Sequence, residues 1–273
     1  MRLLLTDLDN TWFNWVDFFA PSLRAMVHAL SRATGVSEDE IYSQLRRVYA
    51  DHQTLEYQSA IQELTLYKEL GREERARALH GAIVAFGQTR RVRLSLYEGA
   101  KETLEWLNNQ NVRIIGVTNA AIPASLGRLK SLGIQKYFTA LVGSHGGSTE
   151  SIRRPGITKL ISLDGDQLKP NPEAYRRALE ALACQSSHSD LWALGDSPSK
   201  DLAPASKFGA KTIWARYGRH VNAKNFETLL RVTHWSEERV QESYGESPFV
   251  PDFTIDSPRD LMSIIPEGQG RLF

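Results

Sequence analysis

Leu3-Leu4-Leu5-Thr6-Asp7-Leu8-Asp9-Asn10-Thr11 is the stretch on which the fold turns. A short apolar run without polar alternation suits a strand buried on both faces, and such strands belong to parallel α/β sheets. This run ends in two acids separated by one residue, and the carboxyl end of a strand is where ligands bind in an open parallel sheet. Taken alone, Asp9-Asn10 also suits a turn that hydrogen-bonds its own backbone. The chemical reading is a nucleophilic carboxylate beside a second carboxylate acting as general acid and base, with a cation suppressing their repulsion.

Outward from that strand, similar runs recur at Val112 to Val117, Phe138 to Val142, Leu191 to Leu194, Thr212 to Ala215 and Phe253 to Ile255. Helical spacing fills Ala100 to Asn109, Ala121 to Leu132, Pro172 to Cys184 and Leu202 to Phe208, so strand and helix alternate as in a doubly wound, mainly parallel α/β sheet. From about Val16 to Arg91 the alternation fails. Phe19, Leu23, Met26, Val27 and Leu30 share one helical face, and Ser37 to Glu40 has the form of a capping box before Ile41, Leu45 and Val48. So long a helical stretch predicts an inserted α-helical module over 15–91, with the α/β core formed by 1–14 and 92–273. Gly143 to Leu168 and Tyr217 to Pro251 are long for connections. The first predicts a loop or an added hairpin turning at Asp164-Gly165, and the second carries helical patterns around Phe226 to Val232 and Trp235 to Gln241.

Further chemistry sits at the other strand ends. Val117-Thr118-Asn119 offers a hydroxyl and an amide near a helix start, which suits oxyanion binding. Lys169-Pro170-Asn171-Pro172 places a cation at the entrance of the helix that holds Tyr175, and Gly195-Asp196-Ser197-Pro198-Ser199-Lys200-Asp201 supplies two more acids at a strand-to-helix turn. In this order the four segments resemble the haloacid dehalogenase (HAD) superfamily, whose motifs are an Asp-x-Asp-x-Thr strand end, a Ser/Thr, a Lys and a Gly-Asp acidic turn. The helical module resembles that family's type 1 cap. The presence of Asp9 points away from the dehalogenating branch and toward the magnesium-dependent phosphatases.

The resemblance implies Asp7 as the nucleophile that becomes an aspartyl-phosphate, and Asp9 as the acid toward the leaving oxygen and the base toward water. It implies Thr118 and the Asn119 amide as holders of phosphate oxygens, with Lys169 offsetting charge on both Asp7 and the transferring group. Mg²⁺ would be bound by the Asp7 carboxylate, the Asp9 backbone carbonyl and Asp196, while Asp201 would orient Lys169 or a metal-bound water. The electrostatics agree, since a phosphate dianion joining three carboxylates exceeds what one lysine balances. The implied activity is hydrolysis of a small phosphorylated metabolite. A phosphomutase acting on a sugar phosphate and a non-catalytic phospho-ligand-binding protein are the alternatives.

Composition narrows the partners. The chain has 273 residues, 33 Lys+Arg against 32 Asp+Glu and a net charge of +1, so no global field attracts nucleic acid or an anionic membrane. One cysteine, Cys184, has nothing to pair with, which suits a reducing compartment. The apolar start Met1 to Leu5 stops at Asp7, too short for a signal peptide, and a cytoplasmic location is expected. Oligomeric state is left open.

Overall fold

The computed structural model describes residues 2–146, 154–181, 190–233 and 247–267. Cys184, the Trp235 to Gln241 pattern and part of the 143–168 segment lie outside them. The described chain divides into two compact units, one holding Met1–Asn14, Leu96–His220 and Val240–Phe273, the other Trp15–Ser95 and Val221–Arg239.

The first unit is built on a seven-stranded sheet. Its strands are β1 (Leu3–Thr6), β2 (Arg113–Ala121), β3 (Ala140–Ser144), β4 (Lys159–Leu163), β5 (Leu191–Gly195), β6 (Lys211–Ala215) and β7 (Phe253–Ile255). They lie in the order β4-β3-β2-β1-β5-β6-β7, with every pairing parallel. Strand order reverses beside β1, so the chain leaves β1 and its neighbour β5 at a switch point, where the loops part and a crevice opens. One face of the sheet presents Leu3, Leu5, Ile115, Val117, Ala140 and Val142 to Tyr175 and Ala178 of the helix Glu173–Ala181 and to Leu202 and Ala205. The alternate residues Leu4, Ile114 and Leu141 are buried as well, which is why these strands read as unbroken apolar runs.

β4 departs from expectation. The segment after Gly143 is neither loop nor hairpin there: Lys159–Leu163 pairs parallel with Ala140–Ser144, and Asp164 caps a short 3₁₀ turn, Gly165–Gln167. At the edge of the sheet its side chains are partly exposed, so it lacks the apolar run that marks the inner strands.

The second unit is helical. It contains α1 (Trp15–Thr34), α2 (Glu38–His52), α3 (Ala60–Glu63), α4 (Thr65–Glu69) and α5 (Arg72–Arg93). α1 buries Phe18, Phe19, Leu23, Met26, Val27 and Leu30 along one stripe and packs along α5. At the start of α2 the Ser37 hydroxyl accepts from the Glu40 N–H at 3.3 Å, while the Glu40 carboxylate accepts from Gln44 Nε2 at 2.8 Å.

The unit also takes in a helix from far along the chain, Ala223–Val232, beyond the 15–91 span expected of the insert. Leu229 and Val232 of that helix are buried, and it packs on α1 and α2. Arg24 of α1 donates to Thr228 Oγ1 (2.7 Å) and Asn225 Oδ1 (2.8 Å), Asn225 Nδ2 donates to Asp17 (2.7 Å), and the Arg231 guanidinium stacks 3.7 Å from the Tyr42 ring centroid. Among the described residues no helix is long and apolar enough to cross a membrane.

Candidate active site

Asp7 stands one residue past β1, with its backbone N–H donating to Leu194 O of β5 at 2.9 Å, so the two central strands fix its backbone. Its side chain is nearly sealed, and both oxygens have partners. Oδ1 accepts from Lys169 Nζ at 2.5 Å and Oδ2 accepts from Thr11 Oγ1 at 3.2 Å. The loop between them turns tightly because Asn10 adopts φ 60°, a left-handed conformation that asparagine tolerates better than most residues.

Lys169 is fully enclosed and bridges two acids, donating also to Asp201 Oδ1 at 2.8 Å. Asn119 holds its backbone at two points: Asn119 Oδ1 accepts from the Lys169 N–H (2.9 Å) and Asn119 Nδ2 donates to the Lys169 carbonyl (2.7 Å). The side-chain amide expected to face phosphate is thus engaged in fixing the lysine. Asp201 is fixed as firmly, its Oδ2 accepting from the Ser197 N–H at 3.0 Å across the π-helical turn Pro198–Leu202.

Carboxylate oxygens of Asp7, Asp196 and Asp201 lie within 4.8 Å of one another, all buried. Burial pushes the Asp196 carboxyl well above the usual range, and the Asp201 and Asp7 charges push it further. Burial raises Asp7 too, with Lys169 opposing. At Asp201 burial also raises, but the Lys169 and Lys200 charges and the bonds from Lys169 and Ser197 outweigh it, and the group falls below its ordinary value. Burial would depress the Lys169 ammonium, yet Asp201 and Asp7 hold it well above its ordinary value. The net picture is an enclosed pocket with more negative charge than its lysine offsets. That donor set, hard oxygens in excess of local positive charge, fits a divalent cation.

Asp9 points to a different set of neighbours. Its Oδ2 lies 3.5 Å from Thr118 Oγ1 and 3.4 Å from Arg128 Nη2, and its side chain is 21% exposed, more open than those of Asp7 and Asp201. The Thr118 hydroxyl also accepts from the Ala120 N–H at 3.1 Å. The structure therefore brings Asp7, Lys169, Asp196 and Asp201 into one cluster, with Asp9 and Thr118 paired beside it.

Three contributors were not read from the sequence. Thr11 supports the Asp7 carboxylate, Arg128 reaches Asp9, and Gly218 supports the loop from behind. A Cβ on Gly218 would lie 2.0 Å from Asn10 O and 2.8 Å from Asp196 Cβ, so only glycine lets this turn approach. Beside it, Tyr217 Oη donates to Thr11 O (2.7 Å) and Trp214 Nε1 donates to Asp196 O (2.9 Å). The threonine was visible within the first motif, whereas the glycine and the arginine carry no local signal of proximity.

The switch-point acids, the enclosed lysine and the strand order agree with what the comparisons return. The pattern of the haloacid dehalogenase-like hydrolases matches residues 1–209, and the chain belongs to that family. The glyceraldehyde 3-phosphate phosphatase of Methanopyrus kandleri is 23% identical over 273 residues, covering 98% of each chain. Pyrophosphatase PpaX of Halalkalibacterium halodurans is 24% identical over 169 residues, covering 62% of this chain and 59% of its own. Among solved structures, a HAD phosphatase from Thermococcus onnurineus superposes with a TM-score of 0.59 at 19% identity, covering 98% of this chain and 100% of its own. A 2-haloacid dehalogenase from Pseudomonas syringae gives 0.60 at 18% identity over 97% of each.

Proposed function

We propose that this hydrolase is a magnesium-dependent phosphatase that cleaves a small phosphate monoester through an aspartyl-phosphate on Asp7. The observation that carries the reading is the Lys169 ammonium seated between Asp7 and Asp201 beside Asp196, a buried arrangement with negative charge to spare. A divalent cation held by the Asp7 carboxylate, the Asp9 backbone carbonyl and Asp196 would neutralise phosphate charge and suppress repulsion between phosphate and nucleophile.

The protein's own groups do the rest. An Asp7 oxygen attacks phosphorus as the bond from phosphorus to the ester oxygen breaks, and Asp9 supplies the proton to that departing oxygen. Asp9, now ionised, takes a proton from water as the water oxygen attacks phosphorus, and the bond to Asp7 breaks to release inorganic phosphate. Thr118 Oγ1 and the Asn119 backbone N–H hold phosphate oxygens, and the clamp between Asn119 and Lys169 keeps the lysine's charge in register with them.

A three-carbon sugar phosphate heads the substrate panel, because the relative matching over the full length is named for glyceraldehyde 3-phosphate. The test measures phosphate release from a panel of phosphorylated metabolites with and without Mg²⁺, using Asp7→Asn as control. Magnesium-dependent release that drops by about 10⁴-fold or more in the folded variant is the expected result. Release that survives in Asp7→Asn overturns the mechanism, and phosphoryl transfer to a sugar instead of water makes the protein a mutase.

A further inference from the structure

Five charged residues are buried among the described residues: Asp7, Arg128, Lys169, Asp196 and Asp201. Four of them form the cluster described above. Arg128 is the fifth, and it reaches Asp9, the acid of the site that lies outside that cluster.

Enclosing a guanidinium is unfavourable unless its partners are well placed, so a helix does not bury an arginine without compensation. Arg128 lies near the end of the helix Ile122–Ser131, which follows β2 directly, and its side chain is 3% exposed. Nη2 approaches Asp9 Oδ2 at 3.4 Å, and the guanidinium carbon stands 6.0 Å from the Phe13 ring centroid. Phe13 is bridged through its backbone to Asp9, so the same turn that carries the acid also presents the ring to the arginine. Thr118 Oγ1 addresses that same Oδ2 at 3.5 Å, from the strand that leads into Arg128's helix. The hydroxyl's single proton turns to phosphate when substrate binds, which leaves the guanidinium, a rigid planar cation, as the lasting anchor on one oxygen of a carboxylate that must meet first an ester oxygen and then a water.

We propose that Arg128 is a positioning residue for Asp9: it anchors the carboxylate through Oδ2 and so fixes the orientation in which the acid exchanges a proton first with the ester and then with water. The inference rests on the phosphatase reading above. It predicts a defect that depends on how much the leaving oxygen needs a proton. An alkyl alkoxide must be protonated as it departs, whereas 2,4-dinitrophenolate leaves without one. Because kcat/KM reports steps through departure of the leaving group, the two esters separate a misplaced acid from general damage.

The experiment compares the wild type with Arg128→Met and Arg128→Lys on two substrates at saturating Mg²⁺. One is the alkyl phosphate the wild type turns over best, the other 2,4-dinitrophenyl phosphate. For Arg128→Met, kcat/KM is expected to fall about 30-fold on the alkyl ester and less than about 3-fold on the dinitrophenyl ester. kcat should fall on both, since hydrolysis of the shared aspartyl-phosphate needs Asp9 as base. Arg128→Lys, which keeps the charge without the fork, should show a selective loss of about 5-fold on the alkyl ester, and it carries the test alone if the methionine variant does not fold. Equal losses on the two esters, losses confined to KM, or no loss at all overturn the proposal. A wild type that releases phosphate from neither ester defeats the phosphatase reading itself, and an Asp7→Asn variant that still releases it defeats the mechanism through Asp7.

Discussion

Gly218 shows how little tolerance the loop that carries Asp7 has. The turn Arg216–Arg219 presses on the loop so closely that a single methyl would meet a backbone carbonyl at 2.0 Å, and neither side is a flexible side chain that swings aside. Gly218→Ala should therefore displace Asn10 and Asp196 together, costing about 2–4 kcal/mol of stability and about 100-fold in kcat. Thermal unfolding and steady-state kinetics read the two effects, and a variant of normal stability and rate would mean the turn yields. At Lys169 the penalty is electrostatic. Lys169→Met leaves Asp7 and Asp201 facing each other without their cation, which should destabilise the fold by about 3–5 kcal/mol in the absence of added metal, as read by urea titration. Unchanged stability would show that the two acids take up protons at little cost. Residues such as Asp7, Asp9, Lys169 and Asp196 are legible before folding because each ends an apolar run or opens a helix, where chain order already implies spatial convergence. Arg128 is not, since an arginine between Gly127 and Leu129 reads as one more solvated cation until a folded partner is known.

At the scale of the element, the edge of the sheet needs side-chain help. β7 is three residues long, and its approach to β6 is fixed by Asp252, whose Oδ2 accepts from both Thr212 N and Thr212 Oγ1 at 2.7 Å. Those bonds from Thr212 hold the Asp252 carboxyl below its ordinary value of 3.8. A carboxylate whose folded pKa is lowered contributes stability that is present above its unfolded value and lost as pH falls through the folded one. Asp252→Asn should accordingly melt below the wild type at neutral pH, with the gap closing as pH falls below 3.8 and through the lowered folded value. A gap independent of pH would assign the loss to packing. The two edges also differ in legibility. β7 carries Phe253 to Ile255 as an apolar signal, whereas Lys-Leu-Ile-Ser-Leu over Lys159–Leu163 mixes polar and apolar residues as an edge strand does, and the nearby Asp164-Gly165 pair suggests a hairpin where the backbone makes a short 3₁₀ turn instead.

At the scale of the whole molecule, the helical unit is assembled from separate stretches of chain, which passes between units after Asn14, Ser95 and His220. The amphipathic pattern of Ala223–Val232 announces a helix but not its destination, because the acidic and aromatic partners that hold it, Asp17, Asp39 and Tyr42, lie far back in the sequence. Leu229, 2% exposed, is the test of that docking. Leu229→Ala should cost about 2–4 kcal/mol, and hydrogen exchange should speed up in α1 and α2 while β1 and β5 keep their protection. Uniform loss of protection would make the two units one cooperative body.

This discontinuous assembly has a consequence for synthesis. α1 to α5 leave the ribosome early, but the helix that covers α1 and α2 is translated only after residues 96–220 have been added. At common elongation rates the wait is on the order of ten seconds, during which the apolar faces destined for Leu229 and Val232 stand open on a tethered nascent chain. The helical unit thus begins first and finishes late, and throughout that interval it is a natural client for the chaperones that shield emerging polypeptides.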